Sequence, residues 1–313
     1  MRTLVNGTGR RIGLSVLTAA AVLSGCSGGG GGGGGTVPPQ PVPSPPGPTA
    51  STTQPAWLGE HVNIGVKNDQ PGLNLKTAYS SSGFDLDLAK YLAEKMGFKP
   101  NFIDIPSNER ESKLTSGAVQ LVIASYSMTP DRQALVDFAG PYLKTRQTLL
   151  VRSDDNRITV PGDVAKKHIC TVTGSTSAAG VPSPSGPTPA GLIPSSLYFH
   201  TDFATCVQDL LEKRADAVYT DATILYGFTQ LYPGRMKVLP LTFGALNYYG
   251  VGLQAGHQDT CRTIMRHVRE FLREKWVQHF RDNLPSIVAA DPVFTNDYQP
   301  DSESDVDRYS HCT

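Results

Sequence analysis

The sequence has no excess of charge of either sign. Lys and Arg number 28, Asp and Glu also number 28, and the formal charge of the 313-residue chain is zero at pH 7. Proteins that bind nucleic acid present a basic face, whereas the basic residues here are scattered and form no stripe. The charge therefore argues against a nucleic-acid partner.

Motifs of catalysis and metal binding are also missing. From Trp57 onward the chain has no Gly-x-Ser-x-Gly, His-Glu-x-x-His or P-loop pattern, the patterns typical of serine hydrolases, zinc proteases and nucleotide-binding proteins. No Cys-x-x-Cys spacing suggests a zinc site. We therefore expect no metal ion and no cofactor.

Long hydrophobic runs are scarce, and the clear one lies at the amino terminus. Three arginines precede an apolar stretch over residues 12–23, a pattern that indicates a secretory leader and is too short for a stable membrane span. The stretch ends in Leu23-Ser24-Gly25-Cys26, which resembles the bacterial lipobox, where cleavage precedes a cysteine that carries diacylglycerol. We predict a lipoprotein signal peptide over 1–25 and a lipidated Cys26. The alternative is a plain signal peptide with a chance cysteine.

Residues 26–56 are low in complexity, with a glycine run followed by a proline-rich stretch. Such a composition cannot bury a hydrophobic core. We interpret the segment as a linker that holds the folded body away from the membrane.

Beyond the linker, short apolar strands alternate with amphipathic helices. The predicted strands are 62–66, 101–105, 119–126, 149–151, 168–172, 217–219, 236–239 and 249–253. The predicted helices are 84–96, 107–116, 203–214, 222–230 and 259–281. This βαβα order predicts an α/β fold with mostly parallel sheets. We expect a surface loop at 181–194 and a loosely packed acidic tail after Leu284.

Several blocks of the chain resemble the extracellular solute-binding proteins of family 3, the polar-amino-acid receptors of ABC importers. In chain order they are Val62-Asn63-Ile64-Gly65-Val66, Asp69-Gln70-Pro71, Gly83-Phe84-Asp85-Leu86-Asp87-Leu88-Ala89, Ser127-Met128-Thr129-Pro130-Asp131-Arg132, Asp137-Phe138-Ala139-Gly140-Pro141-Tyr142, Gly174-Ser175-Thr176 and Ala215-Asp216-Ala217-Val218-Tyr219-Thr220-Asp221. The resemblance spans residues 59–285. Within the family the chain is most similar to glutamate-binding lipoproteins of Gram-positive bacteria.

The resemblance implies a two-lobed, type II periplasmic-binding-protein-like fold with a hinge. We assign residues 57–144 and 248–290 to lobe 1, 145–247 to lobe 2 and 291–313 to an acidic tail. The implied function is capture of a free polar amino acid between the lobes by hinge closure. Glutamate is the best candidate, followed by aspartate, glutamine and asparagine. The implied partners are the permease subunits of an ABC importer, with a monomer anchored by lipid on the extracellular face of the cytoplasmic membrane.

The resemblance also implies where the ligand backbone binds. Arg132 offers its carboxylate a planar, permanently charged fork, and Asp221, from the other lobe, offers its ammonium a carboxylate. Ser125, Ser127 and Thr129 belong to the same turn as the arginine and are expected to add hydrogen bonds.

Further residues are assigned to the rest of the ligand. Ser175 and Thr176, after Gly174, are expected to present backbone N–H groups to an anion. Arg110 is expected to meet a side-chain carboxylate, and Lys67 and Asp69 to face the cleft. Tyr126 either stacks on the ligand or packs in the core.

Each of these assignments has a structural alternative. Arg132 and Arg110 fit ordinary surface positions on helices. Asp221 fits a helix cap for the residues that follow it. The segment 174–176 fits an ordinary turn, and Pro182 shortens any helix behind it.

Export favours disulfides among the four cysteines that remain once Cys26 is lipidated. Four cysteines allow three pairings. We favour Cys170–Cys206 and Cys261–Cys312, because each pair joins segments assigned to one lobe; free thiols are the alternative.

Two other functions are compatible with the same fold. One is an enzyme similar to the cyclohexadienyl dehydratases, which needs a cleft acid to protonate a leaving group; Glu109 is the candidate near the cleft. The other is an amino-acid sensor for a membrane signalling partner. The sequence favours a binding protein over the enzyme and does not separate transport from sensing.

Overall fold

The computed structural model describes residues 57–179 and 196–313. The predicted signal peptide, the lipidated Cys26, the linker and the predicted loop at 181–194 lie outside the described residues. Within the described ranges, no helix is long and apolar enough to cross a bilayer.

The described part of the chain contains short strands and helices in alternation. The strands are β1 (His61–Val66), β2 (Asp69–Gln70), β3 (Asn74–Lys76), β4 (Ser81–Ser82), β5 (Lys99–Asp104), β6 (Leu121–Val122), β7 (Asp137–Arg152), β8 (His168–Val172), β9 (Ser196–His200), β10 (Ala217–Asp221), β11 (Met236–Val238) and β12 (Phe243–Leu253). The helices are α1 (Phe84–Met96), α2 (Arg110–Thr115), α3 (Pro130–Gln133), α4 (Thr176–Ala179), α5 (Phe203–Leu211), α6 (Ala222–Leu231), α7 (Gln258–Glu274), α8 (Trp276–Asn283), α9 (Pro285–Ala290), α10 (Phe294–Tyr298) and α11 (Ser304–Tyr309).

One sheet joins two groups of parallel strands. Its order is β5-β1-β6-β12-β7-β10-β8-β9, with β11 also paired to β7. At one end β1 runs parallel to β5 and β6, and at the other end β8 runs parallel to β9 and β10. Between them β7 and β12, 16 and 11 residues long, run antiparallel to each other. These two long strands therefore connect the two groups.

Helix α1 shows how the local sequence sets an element. Asp85 and Asp87 lie in its first turn, where negative charge suits the positive end of the helix, and Lys95 lies in its last turn. Gly97 ends the helix in the left-handed region (φ 75°), which favours glycine. The predicted bounds, 84–96, are confirmed.

The two long strands were only partly predicted. The predictions at 149–151 and 249–253 correspond to the carboxyl-terminal ends of β7 and β12. Strand β7 is buried on both faces along most of its length, so it shows no polar–apolar alternation. The predicted strand at 119–126 is much shorter, because the chain turns away at Ser125, whose φ is 45°.

The predicted helix at 259–281 is two helices. Lys275, with φ −122° and ψ −29°, separates α7 from α8. The break allows the buried Trp276 ring to stack on Phe280, with 4.4 Å between ring centroids. Its Nε1 donates a hydrogen bond to the backbone oxygen of Tyr142 at 2.8 Å. Packing against the core therefore overrides the continuous helical pattern.

The carboxyl-terminal segment is well packed, so the expectation of a loose tail is wrong. It forms α9, α10 and α11, and Val306 and Phe294 are buried. The backbone N–H of Thr313 lies 3.1 Å from each carboxylate oxygen of Asp137, at the start of β7. The acidic residues that suggested a solvated tail are in part paired with α7, as where Arg273 Nη1 contacts Glu303 at 2.6 Å.

The four cysteines that follow the linker lie in two close pairs. The sulfur atoms of Cys170 and Cys206 are 1.94 Å apart, and those of Cys261 and Cys312 are 1.95 Å apart. These are the two pairs favoured from the sequence.

We expect the docked tail to stabilise the fold through Phe294. This ring is 3% exposed and stacks 5.3 Å from Phe280. Truncation by Phe294→Ala should lower the free energy of unfolding by about 3–5 kcal/mol, as for a buried aromatic residue. The neighbouring Val293 is 56% exposed. Val293→Ala should therefore change the free energy of unfolding by less than about 0.5 kcal/mol. Equal stability of the two variants in urea titrations would contradict the docked tail.

Candidate functional site

The predicted site residues gather where the two long strands pass between the parallel groups. Arg132 lies in the short helix α3, which begins at Pro130 and is capped by Thr129. The Thr129 hydroxyl accepts a hydrogen bond from the backbone N–H of Arg132 at 3.4 Å. Thr129 thus orients the helix turn that carries the arginine, rather than presenting a free hydroxyl.

The guanidinium of Arg132 is largely buried and points across the seam between the two strand groups. Its Nη1 donates to the backbone oxygen of Ser127 at 2.9 Å, and its Nη2 donates to the backbone oxygen of Gly174 at 2.9 Å. Its Nε lies 2.9 Å from a carboxylate oxygen of Glu111. Arg132 is therefore not an ordinary surface arginine, and its guanidinium joins residues far apart in the sequence.

Arg110 is 2% exposed and shares one acceptor with Arg132. Its Nη2 donates to the same Gly174 oxygen at 3.0 Å, and its Nε donates to the Ser107 oxygen at 3.0 Å. Burial lowers the pKa of Arg110 to about 10, and the neighbouring Arg132 charge acts in the same direction. The group remains a cation at pH 7, and all its hydrogen bonds go to backbone oxygens.

Tyr126 packs between these two cations. The guanidinium carbons of Arg110 and Arg132 lie 4.7 and 5.0 Å from the centroid of its ring, a distance typical of cation–π contacts. Its ring is also 4.7 Å from that of Phe138. Burial raises the pKa of Tyr126, so its hydroxyl stays neutral. Tyr126 is packed among buried residues, and its stacking on a ligand stays a prediction.

Asp221 ends β10 on the opposite side of the seam and is 3% exposed. Its Oδ1 accepts from Nδ2 of Asn247 at 2.7 Å, and its Oδ2 accepts from the hydroxyl of Tyr249 at 2.5 Å. Its side chain makes no capping hydrogen bond to α6, so it is not simply a helix cap. Burial raises the pKa of Asp221, while the charge of Arg132 lowers it. The two predicted charges therefore act on each other.

Asn247 and Tyr249 were not identified from the sequence. They lie two residues apart on β12, which places both side chains on one face of the strand. That spacing was the available signal, but it is weak within an otherwise ordinary strand sequence.

The segment Gly174-Ser175-Thr176 closes one side of the site. A side chain at Gly174, whose φ is 77°, would lie 2.5 Å from the Cα of Asn108, so only glycine allows this approach. The Ser175 hydroxyl donates to the Val172 oxygen at 2.6 Å, and helix α4 has only four residues. Ser175 stabilises its own turn, and its backbone N–H donates to the same Val172 oxygen at 3.1 Å, so this N–H is engaged and does not face an anion as the sequence suggested.

Thr176 faces the two long strands. Its hydroxyl accepts from Nε2 of Gln147 on β7 at 3.1 Å and from Nδ2 of Asn247 on β12 at 3.3 Å. Thr176 is thus brought close to Asp221, which shares Asn247 as a hydrogen-bond donor.

Asp69 and Lys67 form a buried ion pair beside the site. The Asp69 Oδ1 lies 3.5 Å from Nζ of Lys67, and both side chains are more than nine-tenths buried. The Asp69 Oδ2 accepts from the backbone N–H of Phe203, the first residue of α5, at 2.6 Å. Burial lowers the pKa of Lys67. Asp69 therefore forms a hydrogen bond between the two strand groups. Its assignment to the ligand did not predict this contact.

A cavity of about 500 Å³ opens beside this ion pair. Lys67 and Asp69 contribute to its wall from one strand group, and Asp202 and Tyr232 contribute from the other. It is larger than a free amino acid requires and lies on the side of the seam where Lys67 is buried.

Comparison with known proteins gives matches over the same residues. A model of the bacterial extracellular solute-binding proteins, family 3, matches residues 62–282. This range contains all the site residues described above.

Two named relatives and one solved structure are similar to the chain. Over 212 residues it is 37% identical to glutamate-binding protein GluB of Corynebacterium glutamicum, covering 63% of this chain and 69% of that protein. Over 208 residues it is 30% identical to the glutamine-binding protein of Geobacillus stearothermophilus, covering 64% and 75%. The structure of an ancestral arginine-binding protein bound to glutamine matches with a TM-score of 0.64 and 25% identity, covering 72% and 98%.

Proposed function

The chain belongs to the bacterial extracellular solute-binding proteins, family 3, and from this membership we propose that it captures a free polar amino acid, best glutamate, for an ABC importer. Its fold is the two-lobed α/β fold of type II binding proteins, as predicted from the sequence. It is a binding protein and not an enzyme.

The pair of opposite charges at the seam is the observation that carries this proposal. A free amino acid has a carboxylate and an ammonium at a fixed separation. Arg132 retains guanidinium N–H groups beyond those engaged with Ser127, Gly174 and Glu111, since a guanidinium has five. Each Asp221 oxygen accepts a hydrogen bond from a side chain of β12, and an ionised carboxylate has about four acceptor positions in all. The pair is therefore complementary to a zwitterion.

The buried cations beside that pair favour an acidic side chain. Arg110 is fully enclosed, its hydrogen bonds go to uncharged backbone oxygens, and the carboxylates of Glu111 and Asp85 act on its charge without a direct ion pair. Lys67 is a second buried cation, close enough for Arg110 to lower its pKa, but its own charge is paired with Asp69. A ligand with a second carboxylate would give Arg110 the direct ionic partner that makes a buried cation less costly. The resemblance to a glutamate-binding protein supports the same ligand class.

Hinge closure is the proposed means of capture. We place the lobe boundaries within the two long strands, with 57–144 and 248–290 in lobe 1 and 145–247 in lobe 2. The hydrogen bonds of Arg110 and Arg132 to Gly174, and of Asp69 to Phe203, then run between lobes. A ligand held by both lobes would shift the population toward the closed form.

Loss of either member of the charge pair should abolish tight binding. Arg132→Ala and Asp221→Ala should each weaken the affinity for glutamate by on the order of 2–5 kcal/mol, because a buried charge of the ligand loses its partner. Isothermal calorimetry measures this directly. The exposed neighbours provide matched controls, and Asp131→Ala and Arg146→Ala should bind as the unmodified protein does. Unchanged affinity in either site variant would remove that residue from the site.

Selectivity for an acidic side chain should depend on Arg110. Arg110→Met should weaken glutamate binding about tenfold more than glutamine binding, since only glutamate has a side-chain carboxylate. Arg110→Lys should retain part of the preference, and Lys113→Met, at a half-buried position of the same helix where the lysine pairs with Glu109, should retain all of it. Calorimetry with both amino acids gives the ratio. An equal loss for both ligands would assign Arg110 to structure alone.

The lipid anchor at Cys26 and the two disulfides complete the proposal. The sequence 23–26 supports lipidation, and the short sulfur–sulfur distances support Cys170–Cys206 and Cys261–Cys312. Intact mass spectrometry of the protein extracted from membranes should find a diacylglycerol-modified amino terminus at Cys26 and no alkylation of the other four cysteines before reduction. A chain that starts elsewhere, or that is alkylated without reduction, would refute the corresponding feature.

A further inference from the structure

Asp85 is a fully buried carboxylate that has no assigned role in the site. It lies in the first turn of α1 and is 0% exposed. Its Oδ2 accepts from the backbone N–H of Ser125 at 2.8 Å, and its Oδ1 accepts from the hydroxyl of Tyr142 at 2.9 Å. Both contacts are with donors, which fits an ionised carboxylate, since that form only accepts hydrogen bonds.

The hydrogen bond from Ser125 to Asp85 fixes a backbone turn whose oxygens bind Arg110. Ser125 has a φ of 45°, a conformation that costs energy for a residue with a side chain and needs support from its surroundings. Asp85 supplies that support through the N–H, and Gln70 Oε1 supplies more by accepting from the Ser125 hydroxyl at 2.8 Å. The turn aims the oxygens of Ala124 and Ser125 at Nη1 of Arg110, at 3.1 and 3.5 Å.

The Tyr142 end of the contact lies on the strand that connects the lobes. Tyr142 belongs to β7, and its ring centroid is 6.2 Å from that of Tyr249 on β12. Tyr249 in turn donates its hydroxyl hydrogen to Asp221. One buried carboxylate from each side is thus held by a tyrosine of a connecting strand.

We propose that Asp85 is a positioning residue of the ligand site, which fixes the Ser125 turn and, through its oxygens, the guanidinium of Arg110. The assignment of Arg110 to the ligand rests on the proposed function, whereas the link from Asp85 to Arg110 does not. Asp85 itself contacts Ser125 and Tyr142, and it reaches Arg110 through the backbone oxygens of the Ser125 turn.

The protonation of Asp85 offers a way to observe the link. Burial raises the pKa of Asp85 to about 7, against the opposing effects of the Ser125 N–H, the Tyr142 hydroxyl and the Arg110 charge. The titratable groups that face it are Arg110 from α2, whose pKa is lowered to about 10, and Tyr142 from β7, whose pKa is raised. Neither changes charge between pH 6 and 8, and Ser125 and Gln70 do not titrate. Lys67, whose pKa burial lowers, also interacts with Arg110, so a transition near pH 7 is assigned to Asp85 by its loss in Asp85→Asn.

The first test needs no ligand. In ¹⁵N nuclear magnetic resonance spectra recorded from pH 5.5 to 8.5, the Ser125 amide and the Arg110 Nε–H should shift with a common midpoint near 7. Asp85→Asn should remove the transition from both signals. Tyr142→Phe, a milder change, should move the midpoint upward, because it removes a hydrogen bond to the ionised form. Asp87→Asn, on the same helix with its carboxylate bonded to His279 and Asn283, should leave it unchanged.

A transition seen at Ser125 but absent at Arg110, or one that survives Asp85→Asn, would overturn the proposal. This readout decides it even if glutamate does not bind. Failure of glutamate, aspartate, glutamine and asparagine to bind the unmodified protein would refute the proposed function and leave the titration result standing.

The second test measures binding at pH 8, where the carboxylate of the unmodified protein is largely ionised. Asp85→Asn should weaken glutamate affinity about tenfold and have a much smaller effect in the Arg110→Met background, because the two residues act as one unit. Asp85→Glu, which keeps the charge, should recover part of the loss. Equal fold-changes for Asp85→Asn in the two backgrounds would show a general structural role and contradict positioning through Arg110.

Discussion

Burial of opposite charges at the seam between two lobes is the constraint on which the rest of the structure depends. Removing a single ion from water costs roughly several kcal/mol even after relaxation. Arg132 and Asp221 bear this cost because each is hydrogen-bonded, the guanidinium to two backbone oxygens and the Glu111 carboxylate, and the Asp221 carboxylate to Asn247 and Tyr249. Both charges are thereby held in place, with that of Arg132 partly balanced by Glu111. In the proposed function, a zwitterion between them binds the remaining donors of the guanidinium and the Asp221 carboxylate.

The two long strands make this arrangement possible. Strand β7 pairs with β12 along its first part and with β10 and β11 along its last part. Because β12 pairs with β6 and β10 with β8, the two long strands together link both parallel groups. Tyr142 and Gln147 on β7, and Asn247 and Tyr249 on β12, direct polar side chains toward the carboxylates or the Gly174 turn. The two strands that connect the lobes, β7 and β12, therefore also position the charged side chains that are assigned to the ligand.

The parts of the site that the sequence predicts are those whose chemistry is local. Arg132 follows a capped turn with proline at the first helical position, and Asp221 ends a buried strand, so short motifs suffice to find them. Asn247, Gln147 and Tyr249 are of ordinary residue types, and only the pairing of distant strands brings them to the site. Asp69 was identified as lying near the cleft, but its bond to the start of α5 depends on how the lobes meet.

The same distinction between local and long-range signals explains which parts of the fold were predicted. Helix α1 was predicted to its observed bounds because its apolar residues recur at helical spacing and Gly97 marks its end. The tail was misjudged because its acidic composition suggested solvation, whereas Phe294 and Val306 reach a core built by residues far away in the sequence. The break at Lys275 likewise follows from the burial of Trp276 and not from a local signal.

A crystal structure of the protein with glutamate bound tests the central claim most directly. We expect the ligand α-carboxylate within about 2.7–2.9 Å of the Arg132 guanidinium and the ligand ammonium at a similar distance from an Asp221 oxygen, as in charge-assisted hydrogen bonds. Glutamate bound with its carboxylate and ammonium away from both side chains would contradict it.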